Sequence, residues 1–502
     1  MLRKKNNNPF KIETASMKIT NPFLLILLVA SLLLVTFIVV KTDIIGIALV
    51  LGLGFVSAIV YLLFTYPRLG IILLIIQGFT VIGLSRYIPA PVGLSIDAVM
   101  FLLYVALFFK AFTKNVKWTK AKSQLTILTS LWMGYIVLQI LNPEARSIVA
   151  WFYVMRGYAL YPFLVVPLAF ILFSKPKDLR LFFIIWGVMS IIGTLKGVMQ
   201  YTIGVDPFEQ AWLDQGAHKT HVLFGKLRVF SFYSDAGQFG AAQGHAGIVF
   251  GILTLFKKKA NLRLRAFYLT VCLTGLFGLL ISGTRGAIAV PGMGAIFYLI
   301  LSKNIKMLAL GSIVIIGVYI FFAHTTLLQS NPDIRRIRTA FDPNNPSLQV
   351  RLENQRKLSN YLSSRPFGGG VGATGNWGKR FTPGTFLAET ATDSWYVAIW
   401  ADTGIVGLLL HLFSLFFILF TGAYNAMFRL KNQDYRIMIT ALTCGFAGIM
   451  MASYGNGVLG QMPTGILMYL SMVFMFSSIR WDKEGKASQK SNSNQKNAMS
   501  GI

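Results

Sequence analysis

Four arginines and two carboxylates in this 502-residue sequence have the types and placement to do chemistry. The arginines are Arg156, Arg228, Arg285 and Arg351; the acids are Glu389 and Asp393, four residues apart in "AETATD". A guanidinium stays charged at any physiological pH, and its fork of N–H groups matches a pair of phosphate or carboxylate oxygens. A carboxylate at the lip of an apolar segment can accept a hydroxyl proton, and partial burial moves its pKa towards a useful value. Asp393 could equally cap the helix that begins just after it. "HKTH", with His218 and His221, is the nearest approach to a metal pair, but no carboxylate or cysteine set completes it, so no metal site is expected.

The elements that must position these groups are membrane helices. The chain is 55% hydrophobic and only 13% charged, too little charge to cover a soluble surface of this length. Apolar runs of roughly 18 to 22 residues recur almost to the end, each long enough to cross a bilayer. About fourteen candidate spans can be drawn, near residues 22–40, 44–65, 69–85, 95–112, 124–141, 152–173, 180–202, 237–256, 266–282, 285–302, 305–324, 395–422, 436–453 and 463–480. The expected fold is therefore an all-α polytopic membrane protein. A net charge of +29 would suit nucleic acid, but the lysines and arginines fall mainly between apolar runs, so no nucleic-acid partner is expected. Cys272 and Cys444 lie inside apolar runs, which argues against a structural disulfide. The basic N-terminus precedes an apolar run with no convincing small-residue cleavage site and reads as an uncleaved anchor.

The connections alternate strongly in Lys and Arg. The N-terminus, "TKNVKWTKAK", "SKPKDLR", "KKKANLRLR", "SKNIK", "RLKNQDYR" and the C-terminal tail form one set, which the positive-inside rule places in the cytoplasm. "NPEAR", residues 205–236, "SGTRG" and residues 325–394 then face outward. The expected organisation is a basic cytoplasmic segment (1–21), eleven spans (22–324), a large outer loop (325–394), three further spans (395–480) and a disordered cytoplasmic tail (481–502). Within the outer loop "NPSLQVRLENQRKLSNYL" reads as a helix. Asn345 could cap it, Pro346 suits its first turn, and Leu348, Leu352, Leu358 and Leu362 share a face. Pro366 and "FGGGVGATG" break that helix and permit close backbone approach to a ligand; the plain alternative is a surface helix and a flexible linker.

An arginine in or near hydrocarbon is costly without a partner, so Arg146, Arg156, Arg228 and Arg285 each call for an anion, a carboxylate or a lipid headgroup. Snorkelling to headgroups is the plain reading, weaker for Arg285 because Gly283 and Gly286 flank it and suit close packing. Outward arginines suit a pyrophosphate, and a lipid-linked sugar pyrophosphate at the outer leaflet is a physically sensible substrate. Arginines could neutralise the leaving pyrophosphate without a metal, and the outer loops contain no Asp-x-Asp motif.

Four stretches resemble the O-antigen ligase and polymerase superfamily of bacterial envelope glycosyltransferases. "LRVFSFYSDAGQFGA" is similar to its segment with an arginine, an aromatic-glycine stretch and a helix start. "ISGTRGAIAV" resembles its Ser-Arg-Gly turn, with Thr284 in place of serine. "RLENQRKLSNYLSSRPFGGGVG" resembles its large-loop pattern, and "DSWYVAIWADTGIVGL" the segment that closes that loop. The resemblance covers mainly residues 146–410. Ligases of the family typically carry a histidine, the proposed base, where this chain has Asp393, and an aspartate there looks more like the polymerases.

The resemblance implies a metal-independent glycosyltransferase, without cofactors, in the bacterial cytoplasmic membrane with its site facing outward. It would polymerise undecaprenyl-pyrophosphate-linked repeats of O-antigen or exopolysaccharide. Arg156, Arg228, Arg285 and Arg351 would hold the pyrophosphate, and Asp393 or Glu389 would act as base. Implied partners are the lipid-linked glycan, membrane lipids, a flippase and chain-length regulator proteins. Two other readings stay open: a ligase transferring the glycan to lipid A core or another acceptor, and a transporter in which the arginines line an anion path.

Overall fold

The computed structural model describes residues 51–113, 116–223, 225–257, 261–330, 335, 338, 339, 342 and 345–499; at 223, 347 and 483–499 it describes the backbone alone. The candidate span at 22–40 lies outside the described residues. Residues 51–65 form an apolar helix, Leu51–Thr65, in an N-terminal unit that ends at Thr65. The second unit runs from Tyr66 onward and holds everything described below.

Ten described helices are long and apolar enough to cross a membrane, and Leu51–Thr65, Arg68–Leu84 and Arg285–Leu301 are shorter apolar helices. The protein is thus an all-α polytopic membrane protein. Among the described residues the β-structure is a pairing of Val222–Leu223 with Lys226–Leu227. Ala236–Phe256, Gln433–Ala452 and Thr464–Asp482 form the buried centre, whereas Ile305–His324 has no buried residue.

Small residues let the central helices approach closely, as expected where lipid supplies no hydrophobic drive between helices. A Cβ added at Gly275 would lie 2.8 Å from the Gln243 carbonyl oxygen, and one at Gly240 would lie 2.4 Å from Ser282 Oγ. Several polar groups in this core pair with one another, as burial favours. Ser190 donates to Gln243 Oε1 at 2.8 Å, and Gln238 Nε2 donates to Thr464 Oγ1 at 2.8 Å.

Among the described membrane helices, two beside the site depart from regular geometry. Ile148–Leu172 widens into a π turn at Arg156–Leu160, and such turns are frequent at functional sites. Trp395–Tyr424, expected as one continuous span, is broken at Gly404, whose φ of +70° and ψ of −173° are open to glycine and strained for other residues. At the C-terminus the helix runs from Thr464 to Met499, where the sequence led to the expectation of a disordered tail from 481. The extension contains no proline, and its Lys, Gln, Ala and Ser residues are compatible with a helix already nucleated in the membrane.

The large-loop segment contains the expected helix, Pro346–Leu362, followed by the short helices Gly375–Phe381 and Phe386–Glu389. Leu358 and Leu362 dock it, packing with Leu387, Val397 and Ala401 in a core of their own. Leu348 does not share that burial and stays exposed beside the cavity described next.

Candidate functional site

A cavity of about 1250 Å³ opens where the ends of the helices meet the large-loop segment. Arg156, Arg228, Arg285, Arg351 and Asp393 all line it, although they lie up to 237 positions apart in sequence (393 − 156). Glu389 does not: it is exposed and accepts the Gly384 N–H at 3.3 Å, so the two acids are not presented together.

Each arginine is held differently. Arg156 forms an ion pair with Asp97, its Nε 3.2 Å from Oδ1, and donates to the Tyr161 hydroxyl at 2.9 Å. Its charge is thus matched by a carboxylate from the Leu94–Thr113 helix, which satisfies the demand for a partner without a lipid headgroup. Arg228 donates from Nη2 to Thr284 Oγ1 at 2.9 Å, joining its segment to the turn that carries Arg285. A hydroxyl at position 284 is what this contact needs, so threonine serves there as serine would. Arg285 donates to Thr339 Oγ1 at 2.6 Å, and Arg351 Nε lies 3.8 Å from Asp393 Oδ2.

The segment bearing Arg228 is pinned to the bundle by charge. Asp206 caps the Pro207–Trp212 helix, accepting from Phe208 and Glu209 N–H. Lys196 Nζ reaches Asp206 at 2.9 Å and Glu209 at 3.2 Å. Burial works against ionisation of Asp206, but hydrogen bonds from Tyr87 and Lys196 outweigh it and hold the carboxyl well below the usual carboxylate range. Burial, with the hydrogen bond to Asp206, pushes the Tyr87 hydroxyl up to about 12. Arg86 packs against the Trp212 and Phe230 rings, 4.5 and 4.4 Å from their centroids, and donates to the Ser231 carbonyl at 2.7 Å. Its burial lowers it to about 10, which leaves it charged at neutral pH.

The helix-cap alternative for Asp393 does not hold. The cap is Ser394, whose Oγ accepts the Val397 N–H at 3.5 Å. Asp393 sits one residue earlier at φ +48°, a left-handed conformation that aspartate tolerates better than most residues. Its carboxylate is 46% exposed and turned to the cavity wall that also carries Arg351.

Sequence reasoning missed Asp402. It is 1% exposed, within the Trp395–Tyr424 helix, and lines the cavity. Its oxygens accept the Gly372 N–H at 3.1 Å, the Thr374 N–H at 3.1 Å and the Tyr158 hydroxyl at 3.0 Å. The glycine-rich stretch also crosses the break at Gly404, with Gly369 N–H donating to the Ala401 carbonyl at 2.9 Å and Val406 N–H to the Pro366 carbonyl at 3.3 Å. A Cβ at Gly404 would lie 2.0 Å from the Pro366 oxygen, so the close approach admits glycine alone. The available signal was an acid inside an apolar run, which is expensive unless paired. The final connection was missed too: Asn456 and Gln461 line the cavity, and Gln461 Oε1 accepts from Ser234 at 2.9 Å.

His218 and His221 are spent locally. His221 Nδ1 lies 2.9 Å from the Ala217 carbonyl and Nε2 3.2 Å from that of Ser234; His218 Nδ1 lies 3.2 Å from that of Leu213. Among the described residues no group of three or more His, Cys, Asp and Glu is placed to hold a metal ion.

The family model described as O-antigen ligase matches residues 270–412. The match supports membership of the O-antigen ligase/polymerase superfamily. It contains Arg285, Arg351, Asp393 and Asp402, while Arg156, Arg228 and the 453–463 connection reach the same cavity from outside it. No curated protein matches the chain. The match supports a polysaccharide-related ligase or polymerase role.

Proposed function

We propose that this superfamily member polymerises polysaccharide repeats carried on a polyprenyl pyrophosphate, at the outer face of the cytoplasmic membrane. The observation that carries this reading is the convergence of Arg156, Arg228, Arg285 and Arg351 with Asp393 on one cavity. In this reading the arginines bind the donor pyrophosphate through paired N–H contacts and neutralise it as it leaves. A sugar hydroxyl of a second lipid-linked repeat attacks the anomeric carbon, Asp393 takes its proton, and the bond to pyrophosphate breaks. Arg156 contributes chiefly as a positioned ion pair, because Asp97 already balances it. Arginines alone supply the charge, so purified protein should work in excess EDTA. The proposed topology has fourteen spans, both termini in the cytoplasm and the cavity facing outward, as the Lys and Arg alternation indicates.

The description of the matched family favours a ligase as the second reading. Against it stands the position of histidine: His411 is buried, accepting from Trp395 Nε1 at 2.9 Å, and the site carries Asp393 where the ligases typically place their base. Deleting the gene and resolving the cell's surface glycans on a gel tests both. A polymerase leaves single-repeat products; long lipid-linked chains that never reach their acceptor would replace the polymerase reading with the ligase.

A further inference from the structure

The large-loop segment and the membrane helices meet at a set of parallel rings. Tyr153, on the Ile148–Met155 helix, stacks on Trp377 of the Gly375–Phe381 helix with centroids 4.3 Å apart and planes 8° from parallel. Phe381 extends the arrangement, 5.8 Å from Tyr153 and 6.0 Å from Trp377, at 11° and 9°. Tyr153 and Trp377 line the cavity and are only partly buried.

Their polar atoms distinguish this pair from other aromatics of the same wall. Tyr158 spends its hydroxyl on Asp402, and Trp395 spends its indole N–H on His411. Among the described residues, neither the Tyr153 hydroxyl nor the Trp377 N–H has a hydrogen-bond partner. Two polar ends without a protein partner, beside ring faces on one cavity wall, suit a ligand with both apolar and hydroxylated surfaces. A pyranose ring has that character. Its C–H face packs on the negative face of an aromatic ring, and its rim hydroxyls accept from and donate to groups at the ring edge.

We propose that Tyr153 and Trp377 form a sugar-binding platform that holds a pyranose ring of the lipid-linked glycan. The proposal rests on the polymerase reading and names a subsite within it. Tyr153 precedes Arg156 by three residues, about 4.5 Å along a helix, so the platform lies beside the arginines and takes a sugar close to the pyrophosphate. The cavity, at about 1250 Å³, is larger than the roughly 300–1,000 Å³ usual for small-molecule sites and leaves room for sugars beyond the diphosphate.

The test is lipid binding by full-length protein in nanodiscs, using two ligands: polyprenyl pyrophosphate bearing the oligosaccharide repeat, and bare polyprenyl pyrophosphate. Trp377→Ala should weaken the glycan-bearing lipid about tenfold and leave the bare lipid unchanged. Trp377→Phe keeps a stacked ring, loses the N–H, and should show a smaller loss on the glycan-bearing lipid alone. Equal losses on both lipids would make the stack a seam that docks the loop, and no loss on either would remove it as a subsite; both overturn the proposal. Wild-type protein that binds the bare lipid as tightly as the glycan-bearing one overturns the platform and spares the arginine clamp. Wild-type protein that binds neither sinks the polymerase reading, and the platform with it.

Discussion

Arg351 and Asp393 face each other across 3.8 Å, one from the large-loop helix and one from the residue before the cap of the Trp395–Tyr424 helix. This places a proposed phosphate ligand beside the proposed base, so the two roles are coupled. Asp393→Asn should fold normally, because Ser394 supplies the cap, and should lose roughly 10²-fold or more in turnover. Ser394→Ala should show the opposite pattern, costing about 1 kcal/mol of stability with its carboxylate neighbour intact. Arg351→Gln combined with Asp393→Asn should be non-additive, as expected of residues in contact. Polymer formation from lipid-linked repeats, compared across wild type, Arg351→Gln, Asp393→Asn and the double variant, measures the coupling, and thermal unfolding in detergent measures Ser394→Ala. Near-wild-type turnover by Asp393→Asn would remove it as the base, and exposed Glu389 is not positioned to replace it.

The turn at residues 282–286 yields a second prediction. Arg228 reaches that turn through the Thr284 hydroxyl, so Thr284→Ser should be nearly silent while Thr284→Val loses the contact. Arg285→Lys keeps the charge and loses the two-pronged geometry, and activity should fall strongly at unchanged net charge. All three variants should retain wild-type thermal stability in detergent to within a few degrees, about 1 kcal/mol or less. An active Arg285→Lys would reduce the clamp to simple charge attraction.

Several of these relationships were legible in the sequence for an identifiable reason. Long apolar runs have few structural solutions, so the membrane helices stand out, and arginine near hydrocarbon is costly enough that Arg156, Arg228 and Arg285 attract notice. What escaped depends on contacts between distant segments. Asp402 is meaningful only because the backbone of Gly372 and Thr374 folds back onto it, about 30 positions away. The cap at Ser394 and the turn at Asp393 differ by a single residue, within the ordinary uncertainty of a helix boundary. The break at Gly404 carried a weak signal, an isolated glycine in an apolar helix, whose cause is a carbonyl from Pro366.

Topology is open to a cysteine-labelling experiment, and the fold improves the choice of positions. Thr374 lies in the large loop but is buried, whereas its neighbour Asn376 is exposed. In a background with Cys272 and Cys444 replaced, Asn376→Cys should react with a membrane-impermeant maleimide added outside. Lys431→Cys, exposed in "RLKNQDYR", should react only after permeabilisation. The reverse pattern would turn the cavity to the cytoplasm and overturn the proposed reaction site.

The last prediction concerns how the glycine-rich stretch is held to the cavity wall. Asp402 accepts two backbone N–H groups and the Tyr158 hydroxyl, and its surroundings exclude water almost completely. Asp402→Asn preserves shape but turns one acceptor into a donor, which then faces the Gly372 or the Thr374 N–H, a group with nothing to accept. Leaving one such buried donor unsatisfied costs about 1–3 kcal/mol. Tyr158→Phe removes a donor and leaves the two backbone contacts, so it should cost less. Gly404→Ala acts on the same docking from the opposite side, because its Cβ would meet the Pro366 oxygen at 2.0 Å and its φ of +70° disfavours alanine. All three should increase protease cleavage of the 363–375 stretch in protein that still inserts in membranes, ranked with Tyr158→Phe mildest. If Asp402→Asn leaves cleavage and polymer synthesis at wild-type levels, the carboxylate does not hold the loop, and the glycine backbone docks through the Gly369–Ala401 and Val406–Pro366 hydrogen bonds alone.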